Sequence, residues 1–127
     1  MHIISMILAT IVFIEHIYIM ILEMFFSDSK RAAETFDINY NFLQDDRVKT
    51  LFKNQGLYNG FLAAGLGYGL FVSHNQIEIT TMFVIFVIIA AVYGAMTSSK
   101  GILIKQGLPA TLALIAIIIF KLNKSIR

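Results

Sequence analysis

The chain has 127 residues, 57% of them hydrophobic and 14% charged, with a formal net charge of +2 and no cysteine. A soluble domain carries about 25% charged residues, so this balance puts the chain in a lipid bilayer, as a single domain over residues 1–127 with no room for a separate soluble module. The absence of cysteine excludes disulfides, a thiolate nucleophile and cysteine-ligated metals, and so small a net charge gives no ground for a nucleic-acid partner.

The first apolar segment, residues 3–26, exceeds the roughly 18 residues that a spanning helix needs. No basic residue precedes its apolar run and it is too long for a secretory signal, so it reads as a retained span. Glu15 and His16 stand side by side near its midpoint, and an ionisable pair at that depth is costly and rarely idle. Glu23 lies about 12 Å further along. It is close to two turns beyond His16, so those two share a face while Glu15 points about 100° away.

The connection over residues 27–53 carries ten of the chain's charged side chains, with the signs mixed, and reads as a solvated segment. Within it Ser29 is placed to cap a short helix running through Glu34. Asp45 and Asp46 start another, with Val48, Leu51 and Phe52 on one face and Arg47, Lys49 and Lys53 elsewhere. That second helix is expected to lie at the membrane interface and run into the next span, residues 56–73.

Asn54, Gln55 and Asn59 occupy the first turns of the second span, with Gln55 and Asn59 stacked at i, i+4. Gly56, Gly60 and Ala64 form a ridge of small residues, as do Gly65 and Gly69, and such ridges let helix backbones approach closely. A few residues around Ser73-His74-Asn75-Gln76 then turn the chain into an antiparallel third span, residues 79–96, which carries Tyr93. The fourth is less simple, because the uninterrupted run from Leu108 to Phe120 rises only about 20 Å. It must begin near residue 102 and end near 120, which brings Lys105, Gln106 and Pro109 into its first turns. There Lys105 can snorkel to the interface, and Pro109 leaves the Lys105 carbonyl without its usual helical donor.

Orientation follows from the Lys and Arg content of the connections. Lys30, Arg31, Arg47, Lys49, Lys53, Lys100 and Lys105 lie on one side, against Lys121, Lys124 and Arg127 on the other. This places the protein in the cell membrane as a multi-pass protein with both termini outside and the long connection in the cytosol. The expected fold is all-α, an integral membrane four-helix bundle with a charged cytosolic segment between its first two spans. Glu23, Gln55, Asn59, Tyr93 and Gln106 are expected to converge on the cytosolic third of that bundle, as an open pocket or a sealed hydrogen-bond network.

Four strings carry a family resemblance: Glu15-His16 with Glu23-Met24; Asn54-Gln55-Gly56-Leu57-Tyr58-Asn59-Gly60-Phe61-Leu62-Ala63; Tyr93-Gly94; and Gln106-Gly107-Leu108-Pro109-Ala110. Together, in order and nearly end to end, they resemble the small bacterial membrane proteins called domain of unknown function 1304. The resemblance implies a four-helix integral membrane protein and no particular activity.

Three classes of function fit these residues. In the first, a small carrier binds a polar or cationic ligand and Glu15 exchanges a proton or cation, with His16, Glu23, Asn54, Gln55, Asn59, Tyr93 and Gln106 as the other site candidates. So small a bundle needs a second copy or a membrane-protein partner to enclose a pathway. In the second class, Glu15, His16 and Glu23 do acid and base work on a lipid-like substrate. No serine or cysteine nucleophile lies near the histidine, so the chain leans away from an enzyme. In the third, a non-catalytic subunit packs against another membrane protein, with its polar cluster sealed and its charged cytosolic segment as the contact; the structural alternative for Glu15 is a protonated acid hydrogen-bonded to a neighbouring helix. Neighbouring residues on a helix diverge and only one histidine lies at that depth, so no metal site and no cofactor are expected.

Overall fold

The structure is a computed structural model that describes residues 1–98 and 100–126. Arg127, one of the basic residues on the C-terminal side, lies outside the described residues.

Helix α1, Ile3–Phe25, is an almost unbroken run of strong apolar residues. It is started by His2, whose Nδ1 accepts from the Ile4 amide at 3.1 Å. Ser29 then caps a short helix, α2, Lys30–Phe36, by accepting from the Ala32 amide at 3.1 Å. The helix stops at Asp37, which takes the left-handed conformation (φ 55°), one that short Asp side chains tolerate better than most. A 3-10 turn, Phe42–Gln44, leads to α3, Asp46–Phe71. Helix α4, Gln76–Thr97, returns antiparallel to α3. Helix α5, Lys100–Ile126, completes the fold and contains a π turn over Leu103–Gly107.

Helices α1, α4 and α5 are long and apolar enough to cross a membrane, by length and composition. Helix α3, at 26 residues, is longer than α1 but opens on Asp46, Arg47, Lys49, Lys53, Asn54 and Gln55, which dilute its apolar character. Its charged first turns and its apolar remainder form one continuous helix. Helix α3 begins at Asp46, as expected of a helix that starts there and runs into the span at 56, and α5 runs to Ile126, past the expected end of its span near 120. Helical hydrogen bonding does not stop where the apolar run does.

The charged connection is not simply solvated. Ala32, Phe36 and Leu43 turn inward and join Ile19, Leu22 and Val48 in a small apolar core. Two polar contacts tie the segment down: Gln44 Nε2 donates to the Asp28 carbonyl at 2.9 Å, and Lys49 pairs with Asp28 at 3.4 Å. The connection therefore covers the end of α1 and α3 from which it emerges, termed here the loop end.

The long helices pack in the cyclic order α1, α3, α4, α5 and back to α1. Their common core holds Ala9, Val12, Leu66, Leu70, Val84, Val87, Ala110 and Ala113. Two glycines of α3 set the closest approaches to a neighbouring helix's backbone, Gly56 to the Met24 nitrogen and Gly69 to that of Thr80. A Cβ at Gly56 would stand 2.6 Å from Met24 Cγ and 3.0 Å from Glu23 Cβ, and one at Gly69 would stand 2.9 Å from the backbone nitrogen of Thr80. The first contact locks α3 onto α1 and the second locks it onto α4.

Asp45 fixes the start of α3 by accepting from the Arg47 amide at 2.8 Å and pairing with the Arg47 guanidinium at 2.9 Å. The Arg47 side chain, followed by the Arg47 amide, holds the Asp45 carboxyl below the usual aspartate range. A group whose value is depressed by folding contributes stability above its unfolded value and loses it as pH falls through the folded one. Acidification is therefore expected to lower the hydrogen-exchange protection of the Arg47 and Val48 amides relative to their intrinsic rate at each pH, and Asp45→Ala to abolish that acid-dependent step. Equal acid sensitivity in the variant would contradict the assignment.

Candidate functional site

The loop end gathers most of the polar side chains that lie within the helices. Glu15 projects from α1 into a cavity of about 310 Å³ lined also by Tyr18, Ile19, Thr35, Phe36, Ile102, Lys105 and Gln106. Its Oε1 is buried and has no hydrogen-bond partner. Phe36 lines it because α2 folds back over the bundle, and Ile102, Lys105 and Gln106 line it from α5.

The π turn determines what α5 presents there. Its wide ring is closed by the Leu108 amide donating to the Leu103 carbonyl, an i to i−5 bond in place of the usual i to i−4. Pro109 follows immediately and supplies no N–H for the Lys105 carbonyl. Lys105 reaches across to α2, where its ammonium donates to the Thr35 carbonyl at 2.9 Å. Thr35 sits in the last turn of α2, where carbonyls lack helical donors and the helix dipole favours a cation.

A second cavity of about 370 Å³ adjoins the first and shares Ile19, Phe36, Ile102 and Gln106 with it. Gln55 and Asn59 line it from α3, and Gly94 from α4. Gln106 thus faces both spaces.

Glu23 is 0% exposed. Asn59 Nδ2 donates to its Oε1 at 2.5 Å, while Oε2 is buried without a partner. The close approach of Gly56 to α1 seals the carboxyl between the helices. His16 is 1% exposed, and its Nδ1 lies 2.9 Å from the Val12 carbonyl of its own helix. A carbonyl only accepts, so Nδ1 carries the proton.

The structure therefore brings Glu15 and Gln106 into one cavity, places Gln55, Asn59 and Gln106 around its neighbour, and fastens Glu23 to Asn59. His16 and Asn54 line neither cavity, and Tyr93 is 67% exposed on the outer face of α4. Sequence reading missed Tyr18, Thr35, Phe36 and the inward reach of Lys105. The one usable signal was the i, i+4 pair Ala32 and Phe36 within a charged stretch, which marks an apolar face seeking cover.

The family described as "Protein of unknown function (DUF1304)" matches residues 10–118. The chain is also similar to the uncharacterized protein YpaA of Lactococcus lactis subsp. lactis (strain IL1403). The two are 44% identical over 116 residues, covering 91% of this chain and 98% of that protein. No solved structure matches the chain.

Proposed function

Because the chain belongs to the DUF1304 family, whose description carries no activity, we propose a function from the site itself: binding of a small polar or cationic solute at the Glu15 cavity, exchanged for a proton. The observation that carries this reading is the buried, unpartnered Oε1 of Glu15 in a cavity that also presents the Gln106 amide. A carboxyl oxygen withdrawn from water and left without a donor is a vacant acceptor. A proton, an inorganic cation or a ligand ammonium satisfies it, and the Gln106 amide can donate to or accept from the same ligand.

In this reading the apolar part of α3 is a fourth crossing, completing a four-span bundle within a single domain of 127 residues. The outward-facing Leu57, Tyr58, Phe61, Tyr68 and Phe71 support it, since so continuous an apolar face is unsuited to water. The excess of Lys and Arg at the loop end puts that end in the cytosol and both termini outside. The cavities then open toward the cytosol, and a second copy of the chain supplies the rest of a transport path. Glu23 and Asn59 act in this scheme as a fastener between α1 and α3 rather than as ligand contacts.

The test is difference infrared spectroscopy of the carboxyl bands in reconstituted protein, against Glu15→Gln. The pH is stepped and sodium, potassium, tetramethylammonium or ethanolamine is added. A band missing from Glu15→Gln that responds to pH and shifts with one of these cations is expected, with the variant folding normally and losing at least about tenfold in affinity for that cation. A Glu15 band indifferent to both would overturn the proposal and leave the carboxyl a structural hydrogen-bonding group.

A further inference from the structure

The opposite end of the bundle, where α1 begins and α5 ends, holds a cavity of about 480 Å³ unrelated to Glu15. Lys121 and Lys124 of α5 line it, together with His2, which caps α1, and Ser5 in the first turn of α1, on an apolar base that includes Ile117 and Phe120. Among the described residues no carboxylate lines this space; Glu78 lines an adjoining cavity instead, which Lys121 also borders. His2 stacks flat on Phe120, with ring centroids 3.6 Å apart, and this holds the start of α1 against the end of α5.

Ser5 is the informative residue. It is 1% exposed and its hydroxyl has no hydrogen-bond partner. Thr10, further along α1, shows the usual solution for such a group by donating to the Met6 carbonyl at 2.6 Å. A buried hydroxyl left unpaired is unfavourable, and at the wall of a cavity it marks a donor awaiting an acceptor. The first turn of the long helix α1 adds the positive end of its dipole at the same place. Two ammonium groups, an unpaired hydroxyl and a helix N-terminus all favour an anion, and the apolar base favours one attached to something greasy.

We propose that this cavity is a binding site for a phosphate-bearing anion, with Ser5 as its buried donor and Lys121 and Lys124 as its counter-charges. The phosphate can belong to an anionic lipid headgroup or be free, and the two sources separate experimentally. The full-length protein is equilibrated with phosphatidylcholine vesicles containing phosphatidylglycerol, then released in detergent, and retained lipid is counted by native mass spectrometry with and without inorganic phosphate.

Enrichment of phosphatidylglycerol over phosphatidylcholine by about tenfold is expected. It falls to near parity in Lys121→Gln/Lys124→Gln and by about threefold or more in Ser5→Ala, while Lys30→Gln/Arg31→Gln at the loop end leaves it unchanged. Displacement of the lipid by millimolar inorganic phosphate assigns the site to phosphate in general, and resistance to displacement assigns it to the lipid. Three results would overturn the proposal: no enrichment together with no saturable phosphate binding, enrichment that survives the lysine substitutions, or loss with the lysine substitutions but none with Ser5→Ala. The last would show only general attraction to surface charge. Ser5→Ala removes a single unpaired atom, so it keeps the test open even if the lysine variant folds poorly.

Discussion

Asn59→Leu is expected to destabilise the protein by about 1–3 kcal/mol, and adding Glu23→Leu to the same chain is expected to restore most of the loss. Glu23 is wholly buried between α1 and α3, and Asn59 supplies its hydrogen bond while the second carboxyl oxygen goes without. Leucine has the same branching and number of side-chain heavy atoms as asparagine, so the substitution keeps the shape while removing the donor and leaves a carboxyl in an apolar seam with no partner. Removing one member of a buried polar pair imposes the full desolvation penalty of the other, whereas replacing both with apolar groups of similar shape is close to neutral.

Interhelical hydrogen bonds in membranes average only about 0.6 kcal/mol by double-mutant cycle. Such bonds reach about 1.7 kcal/mol at most, so a loss above about 2 kcal/mol reports the stranded acid rather than the missing bond. Unfolding of the two single variants and the double variant in mixed micelles measures the coupling directly. Additive losses would show that Glu23 and Asn59 do not act as a pair.

That pair also shows what sequence can and cannot reveal here. Counting 1.5 Å per residue inward from the end of the first apolar span at residue 26 and from the start of the second at residue 56 places Glu23 and Asn59 at the same level, and the four-residue glycine spacing indicates a tight seam. Which glycine faces which neighbour is a matter of rotation, and hydropathy does not report it. Gly56 turns to Glu23 and Met24, Gly60 to Met20, and Gly65 and Gly69 to α4, so only the packed structure shows that Glu23 is sealed and Ala64 is not part of a buried ridge.

The cover over the loop end was less legible. Its charges dominate the composition, yet its fold depends on Phe36 and Leu43 finding Ile19 and Leu22, far away in sequence. Lys105 was legible as an interfacial lysine. Its bond to Thr35 depends on the α2 fold-back and on the geometry of the π turn just before Pro109.

Pro109→Ala is expected to weaken cation binding at the Glu15 cavity by at least about tenfold while leaving helix content unchanged and the fold no less stable. Alanine supplies the N–H that the Lys105 carbonyl lacks and removes the ring that crowds the preceding turn, so the wide turn over Leu103–Gly107 can close into ordinary α-helix. A π turn holds about one residue more than the α turn it replaces, and closing it rotates one side of the helix against the other by roughly 100°. The half from Leu108 onward cannot rotate, because Ala110, Ala113 and Ile117 are buried in the bundle. The rotation therefore falls on the segment before it, carrying Gln106 out of both cavities and Lys105 away from Thr35.

Because the chain has no cysteine of its own, Thr35→Cys and Lys105→Cys can be joined by a short bismaleimide and the yield followed with and without Pro109→Ala. Efficient cross-linking in the proline background that collapses in the alanine background, alongside the loss of binding, ties the site to the turn. Undiminished cross-linking and binding would show that the π turn persists without proline and is set by the packing around Gly107 instead.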